Sequence, residues 1–250
     1  MTISENELAQ AYDARFSEGG LRDSDAFYRW VLDVLDLPAE RSLLDVACGE
    51  GHLLRFAEQR GLDCHGVDIS PEAIRVAGEE LKRTKLLVAN GEELPLPSEC
   101  FDAVISLGSL EHYLSPARGA SEIWRVMKPD GVAAIVLPNS YYLVDIIWQV
   151  LRTGYGPDHK QVVQRFATVR EWQHFLEGQG LQVLQTYRYN FKFPRSRLDL
   201  QWYRDNPRKI LNLLVAPFMP HNLSYHHLFI CRKGEPDTSA FAYLPHQLRT

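Results

Sequence analysis

Apolar and polar positions along this chain follow two periods, and the points where one period yields to the other mark its elements. Residues 43 to 46 are apolar except for Asp45, Gly49 and Gly51 break the run, and Leu53, Leu54, Phe56 and Ala57 resume at helical spacing. This predicts a strand, a tight turn and a helix. A second strand, Cys64 to Val67, ends at Asp68, and a helix from Pro71 to Lys82 and a short strand from Lys85 to Ala89 follow. After the irregular Asn90-Gly-Glu-Glu-Leu-Pro-Leu-Pro97, the pattern predicts a fourth strand at Phe101 to Ser106, with Leu107 to Tyr113 beyond it. Glu122 to Gly131 reads as helix and turn, and Val132 to Leu137 as the fifth strand. Upstream, Phe27, Trp30, Val31, Val34 and Leu35 recur at helical spacing. Downstream come an apolar helical face within Pro138 to Arg152, a Gly/Pro-bearing loop from Thr153 to Gln161, and a helix from Thr168 to Glu177. Strands near Val183 to Tyr189 and Tyr225 to Arg232 complete the series. Strands alternating with helices predict an α/β, doubly wound sheet.

The chemistry sits where strand turns into helix. Small residues at Ala47, Gly49 and Gly51 let the backbone pass close to a ligand, while the free N–H groups of the helix start point at it. Asp68 follows about twenty residues later, the distance at which an acid at a strand end accepts hydrogen bonds from ribose hydroxyls. A dinucleotide site reads G-x-G-x-x-G, and this chain lacks the third glycine in either frame, since His52 and Leu54 stand there. The turn instead reads acid-x-small-x-Gly-x-Gly, with Asp45 inside it. A carboxylate there repels a pyrophosphate and suits a ligand bearing an ammonium or sulfonium group.

With that motif the segment resembles the class I S-adenosylmethionine-dependent methyltransferases of the small-molecule type, and the order of the later elements extends the resemblance over about residues 40 to 190. It implies a Rossmann-like seven-stranded sheet in one methyltransferase domain: a helical cap (1–38), a cofactor-binding half (40–137), a lid inserted after strand 5 (138–167), and a C-terminal part of the sheet (168–250). It implies S-adenosylmethionine as cofactor, with Asp45, Ala47, Gly49 and Gly51 at the methionine moiety, Asp68 at the ribose and Ile69 on an adenine face. Asn90 and the backbone of Gly91 then meet the adenine edge, and Leu107 lines the region of the transferable methyl. Ala47 departs from the usual glycine, and Asn90 stands where many members carry an aspartate. In the cap, Tyr12, Phe16 and Tyr28 either close over the cofactor or pack the cap on the sheet.

On the acceptor side, His112 has the pKa range to take a proton from a hydroxyl, and a purely structural histidine is the alternative. Glu111 is equally open. Tyr141, Tyr142 and His159 on the lid are candidates to shape the acceptor pocket. His226 and His227 fall on opposite faces of the last strand, which argues against joint metal ligation, and His52 caps the helix after the turn or touches the cofactor.

Composition narrows the partners. The 250 residues are 45% hydrophobic with a net charge of −5, an ordinary globular composition. Four scattered cysteines, without C-x-x-C or zinc spacing, indicate neither a disulfide framework nor a metal site, and a reducing cytosol is the expected location. The first thirty residues lack an apolar signal core and no run approaches eighteen apolar residues, so neither a signal peptide nor a transmembrane segment is expected. Within 187–220, a basic aromatic insert, Tyr187 to Lys209 carries Arg188, Lys192, Arg195, Arg197, Arg204, Arg208 and Lys209 against Asp199 and Asp205, interleaved with six aromatic residues. A solvated face, a pocket for an anionic substrate, and contact with nucleic acid or a membrane surface all stay open for it. The acidic balance disfavours nucleic acid as a general partner, and the absence of an Asn/Asp-Pro-Pro-aromatic motif after strand 4, where Ser106-Leu-Gly-Ser109 stands, disfavours N-methylation of bases but not methylation of a ribose or a small-molecule oxygen. The expected activity is methyl transfer to a small-molecule or lipid-linked acceptor, at oxygen, with a peripheral membrane contact compatible. A non-catalytic S-adenosylmethionine-binding sensor and an RNA ribose methyltransferase are the alternatives.

Overall fold

The computed structural model describes residues 4–18, 20–156, 163–237, 239, 244–245 and 248. Its centre is a seven-stranded sheet of β1 (Ser42–Val46), β2 (Asp63–Asp68), β3 (Lys85–Val88), β4 (Phe101–Leu107), β5 (Met127–Pro138), β6 (Leu181–Tyr189) and β7 (His226–Lys233), in the order 3-2-1-4-5-7-6. β7 enters between β5 and β6 and runs antiparallel to both, whereas β1 to β5 pair in parallel. The order reverses between β1 and β4, and this opens a crevice at their carboxyl ends.

Period-two alternation in the central strands feeds two separate cores. Leu44, Val104, Ala133, Ile135 and Phe229 face a layer built with α5 (Pro116–Val126) and α7 (Val169–Gly178). Leu43, Ala103, Ile105, Ala134, Val136 and Leu228 face the opposite layer, built with α2 (Asp25–Leu35) and α3 (His52–Gln59). Because consecutive strand residues are apolar in both directions, neither face of the sheet can be left to water, and helices cover both.

Helix starts follow local chemistry. Thr168 and Glu171 form a reciprocal capping box at α7, Ser4 and Glu7 do the same at α1 (Glu5–Ser17), and Ser70 caps α4 (Pro71–Glu80) with proline at its first position. The predicted boundaries shift by a few residues. The fifth strand begins five residues earlier than expected, because Met127 already pairs with Phe101 across a register shift. The segment after β5 is helical over less of its length than its apolar face predicts: a π-turn at Leu143–Ile147 leads into the short α6 (Trp148–Thr153).

Two helices of the basic aromatic stretch, α8 (Arg197–Asp205) and α9 (Pro207–Val215), connect β6 to β7. The stretch is tied to the N-terminal helices by buried polar contacts. Asp199 is fully buried and accepts the Ala26 N–H at the start of α2 (2.8 Å) as well as the Arg195 and Ser196 groups of its own turn. Tyr189 donates its hydroxyl to Asp23 (2.8 Å), Trp202 its indole N–H to the Arg22 carbonyl (3.2 Å), and Arg195 pairs with Asp33 (3.0 Å). Tyr189, Phe191 and Tyr203 are buried, so these rings build the core and offer no stacking platforms to a nucleic acid.

Candidate active site

Two chambers meet at the carboxyl ends of β1, β2 and β4. The first, about 1020 Å³ counting its open mouth, takes Asp45, Ala47, Cys48 and Gly49 from the turn after β1, and Asp68 and Ile69 from β2. Asn90 and Gly91 follow β3, and Leu107 to Ser109 follow β4. Tyr12, Phe16 and Tyr28 of the N-terminal helices form its remaining wall. α1 is held there by Asp13, whose carboxylate accepts from the Ser70 hydroxyl (2.6 Å) and the Glu72 N–H (3.0 Å) at the start of α4.

The acids of this chamber are unusual in their surroundings. Asp68 accepts from the Gly49 N–H (2.8 Å) and the Ser70 N–H (2.9 Å), and burial nevertheless pushes its carboxyl above the usual carboxylate range. Asp45 is buried and pushed well above that range, first by desolvation and then by the neighbouring Asp68 charge. Among the described residues no hydrogen bond reaches its carboxylate. A buried acid without a partner calls for a cationic or hydrogen-bonding ligand, since bare burial of the charge is costly. An ammonium-bearing nucleoside fits this donor and acceptor set.

Four positions of the turn and loop carry constraints beyond the sequence reading. Ala47 takes φ +60°, a left-handed conformation that glycine adopts freely and alanine only with strain. Gly51 does not line the chamber. It sits at φ +74° against α4, where a Cβ would lie 2.6 Å from a Leu81 methyl, so helix packing and not ligand access demands a glycine there. At Gly91, which does line the chamber, a Cβ would strike the Tyr113 hydroxyl at 2.1 Å. The Asn90 side-chain oxygen accepts the Glu92 N–H (2.9 Å), a turn that aspartate would close equally well, and its amide nitrogen remains for a ligand.

The second chamber opens from the first at Leu107, Gly108 and His112, which line both. Its walls include Arg15, Asp23, Phe27 and Tyr28 from the N-terminal region, Glu111 after β4, Tyr142 and Ile146 after β5, and Tyr225 and His226 at the start of β7. Arg165 pins the returning chain by donating to the carbonyls of Tyr113 (2.5 Å) and Leu114 (3.2 Å). The short 3-10 turn Leu110–His112 brings two titratable groups to the junction. His112 Nδ1 lies 2.6 Å from the Val163 carbonyl, which makes that nitrogen the donor, and burial lowers its pKa, so the ring is neutral with Nε2 as acceptor. Glu111 Oε1 stands 3.7 Å from His112 Nε2, too far for a hydrogen bond, and its Oε2 is buried without a partner. Burial pushes the Glu111 carboxyl up to about 8.

Of the acceptor candidates, Tyr142 is buried in the second chamber, whereas Tyr141 is 55% exposed and lines neither chamber. The backbone N–H of Tyr141 bonds to Asn139 at 3.2 Å, in the turn that leads into the π-turn. His159 lies outside the described residues. His52 stacks its ring edge toward Tyr28 and bonds Glu50 (3.0 Å), while Gly51 is the N-cap. Asp23 and Arg15 are the site residues the sequence did not single out, while Glu111, left open there beside His112, stands at the junction.

Comparison with known proteins agrees with this geometry. Residues 44–135 match the model of the methyltransferase domain family. An uncharacterized methyltransferase of Mycobacterium bovis is 36% identical over 159 residues, which are 60% of this chain. The match spans 65% of that relative's length. In fold, the chain is similar to the [4+2]-cyclase SpnF, with TM-score 0.66 and 19% identity, covering 93% of this chain and 98% of that one. It is also similar to 1,6-didemethyltoxoflavin-N1-methyltransferase of Burkholderia thailandensis, solved with 1,6-didemethyltoxoflavin and S-adenosylhomocysteine bound (TM-score 0.59, 18% identity, 92% and 87% coverage). The sheet order and the acid-bearing glycine turn thus accompany a match, over residues 44–135, to the methyltransferase domain family.

Proposed function

We propose that this chain transfers the methyl group of S-adenosylmethionine to an oxygen of a small or lipid-linked organic acceptor. The observation that carries the reading is the junction of the two chambers. A nucleoside-sized cleft holding the buried Asp45 opens, at Leu107 and Gly108, onto an aromatic chamber whose nearest titratable groups are Glu111 and His112. In this reading Asp45, Ala47 and Gly49 hold the amino-acid end of the cofactor, Asp68 its ribose, Ile69 a face of the adenine, and Asn90 with the Gly91 backbone the adenine edge. Gly51 supports the turn from behind. The N-terminal helices act as a cap and residues 138–167 as a lid.

When bound, S-adenosylmethionine supplies an already activated methyl group, so the chain's own task is alignment and proton removal. Tyr142, Phe27 and Tyr225 hold an apolar acceptor body. The neutral His112 Nε2 accepts the hydroxyl proton, with the Glu111 carboxyl 3.7 Å away as the alternative acceptor once it is ionised. The toxoflavin-precursor methyltransferase among the fold neighbours supports an acceptor of small aromatic type. A second reading, a cofactor-binding chain without methyl transfer, takes its support from the neighbour named as a cyclase. A cytosolic location accompanies the first reading.

Calorimetric titration with S-adenosylmethionine and S-adenosylhomocysteine tests the cofactor assignment. Asp68→Ala should weaken both by about 1.5–3 kcal/mol, the worth of a hydrogen bond to a buried charged group. Wild-type protein that binds neither nucleoside ends the proposal. Binding without any S-adenosylhomocysteine formed across a panel of phenols and hydroxy acids favours the second reading.

A further inference from the structure

The strongest unexplained surface lies outside both chambers, on the far side of the segment that covers the second one. Val144, Trp148 and Arg152 line one side of a groove, and Arg208 and Leu211 of α9 line the other, so α6 and α9 lie side by side. Large apolar side chains stand open to solvent here. Trp148 is 62% exposed, Leu151 76%, and Phe218, in the turn just after α9, 86%; Leu211 and Leu214 are exposed too. Monomeric proteins rarely leave so many neighbouring large apolar groups in water without a use for them.

Charge says what covers this face. Neither α6 nor α9 contains an acid, although the whole chain has a net charge of −5. Arg152 and Arg208 flank the apolar groups and make no ion pair among the described residues. Lys209 is turned inward over the Phe191 and Tyr225 rings at 4.7 and 4.9 Å. A second copy of the chain fits poorly, because a two-fold contact would set this basic face against itself. An RNA strand could use the basic groups and stack on Trp148 and Phe218 but would leave Leu151, Leu211 and Leu214 in water. A surface with acyl chains beneath anionic headgroups matches both the apolar and the basic groups at once.

We propose that α6, α9 and the turn after α9 form a docking face for an anionic lipid surface, with Trp148, Leu151, Leu211 and Phe218 entering the headgroup boundary and Arg152 and Arg208 meeting lipid phosphates. Position adds to this. The segment that gives Val144 and Trp148 to the groove gives Tyr142 and Ile146 to the second chamber, so a docked protein would hold that chamber's cover against the membrane. The acceptor would then be drawn from the lipid phase, a consequence that rests on the methyl-transfer reading, whereas the docking does not.

Co-sedimentation of the full chain with extruded vesicles tests the face directly. Wild-type protein should pellet with mixed phosphatidylcholine–phosphatidylglycerol vesicles, less with phosphatidylcholine alone, and less as salt rises. The double variant Trp148→Ser, Phe218→Ser should lower partitioning roughly tenfold or more, as expected for losing two buried anchors. Arg152→Glu, Arg208→Glu should abolish the preference for the anionic vesicles. Both pairs are exposed, and unchanged circular dichroism and S-adenosylhomocysteine titration would certify their folds. Wild-type protein left in the supernatant with mixed vesicles overturns the proposal, as does undiminished pelleting by the serine variant. A dimer in sedimentation velocity that the serine variant dissociates, or a single-stranded RNA that displaces the protein from vesicles through Arg152 and Arg208, also overturns it by assigning the face to another occupant. Failure of the nucleoside titration in protein that still pellets would sink the methyltransferase reading alone.

Discussion

Ala47 shows how one side chain can be both permitted and strained. It occupies a position of φ +60° in the turn after β1, where a left-handed alanine costs roughly 1–2 kcal/mol and glycine costs only its extra chain entropy. Ala47→Gly should therefore stabilise the protein, by about 0.5–1 kcal/mol net, measurable as a raised urea midpoint without a changed slope. A fall in stability would mean that the Ala47 methyl makes packing contacts worth more than the strain. The neighbouring glycines divide differently from what their common motif suggests. Gly51 makes room for Leu81 and Gly91 for the Tyr113 hydroxyl, contacts between elements distant in sequence that no motif encodes. Asn90 is the opposite case, because an Asx turn to the residue two positions on is a local property and readable from the sequence alone.

Among the elements, the connection between β6 and β7 departs most from what its composition suggests. A run with seven basic residues and six aromatics reads as a binding surface, yet its rings pack against α2 and its buried Asp199 closes two helix starts, its own and that of α2. Removing that carboxylate leaves the Ala26 N–H buried and unsatisfied and takes the acceptor from the Arg195 N–H and the Ser196 hydroxyl at the start of α8. Asp199→Ala should cost about 2–4 kcal/mol in chemical unfolding, where a solvated surface acid would cost less than about 0.5 kcal/mol. The same variant should loosen the second chamber, since Phe27 stands on α2 and Asp23 just before it, where Asp199 holds the helix start. By contrast, α7 was legible down to its first turn, because Thr168 and Glu171 carry their capping box within four residues.

At the scale of the molecule, the fold gathers acids at one end of the sheet. Asp45, Asp68, Asp23 and Glu111 come from four separate segments, Asp45, Asp68 and Glu111 are buried and Asp23 partly so, and desolvation raises the pKa of each. For Glu111 the shift runs from the ordinary 4.5 up to about 8. The folded state then holds this proton more tightly than the unfolded chain, so the stabilisation is complete below about pH 4.5 and is lost as pH rises through about 8. Unfolding free energies of wild type and Glu111→Gln measured at about pH 5 and about pH 8 should diverge. The wild type should lose stability relative to the variant toward the higher pH, by an amount on the order of a few kcal/mol. Parallel curves would show that water reaches the carboxyl and that the junction is open.

What the sequence determined by itself is what local patterning can encode: strands apolar in both directions, hence a sheet covered on both faces; the acid-bearing glycine turn; Asp68 at the end of β2; and the helix caps. These depend on neighbours within a few positions, and the order of the elements then leaves few ways to wind the sheet. Only the tertiary structure decided that β7 slips between β5 and β6, that Tyr142 faces a chamber while Tyr141 faces solvent, and that Glu111 is buried beside His112 without a partner. It also decided which rings of the β6–β7 connection are core. Burial and partnership depend on which segments meet across the fold, and residues far apart in the chain carry no local sign of the neighbour they will have.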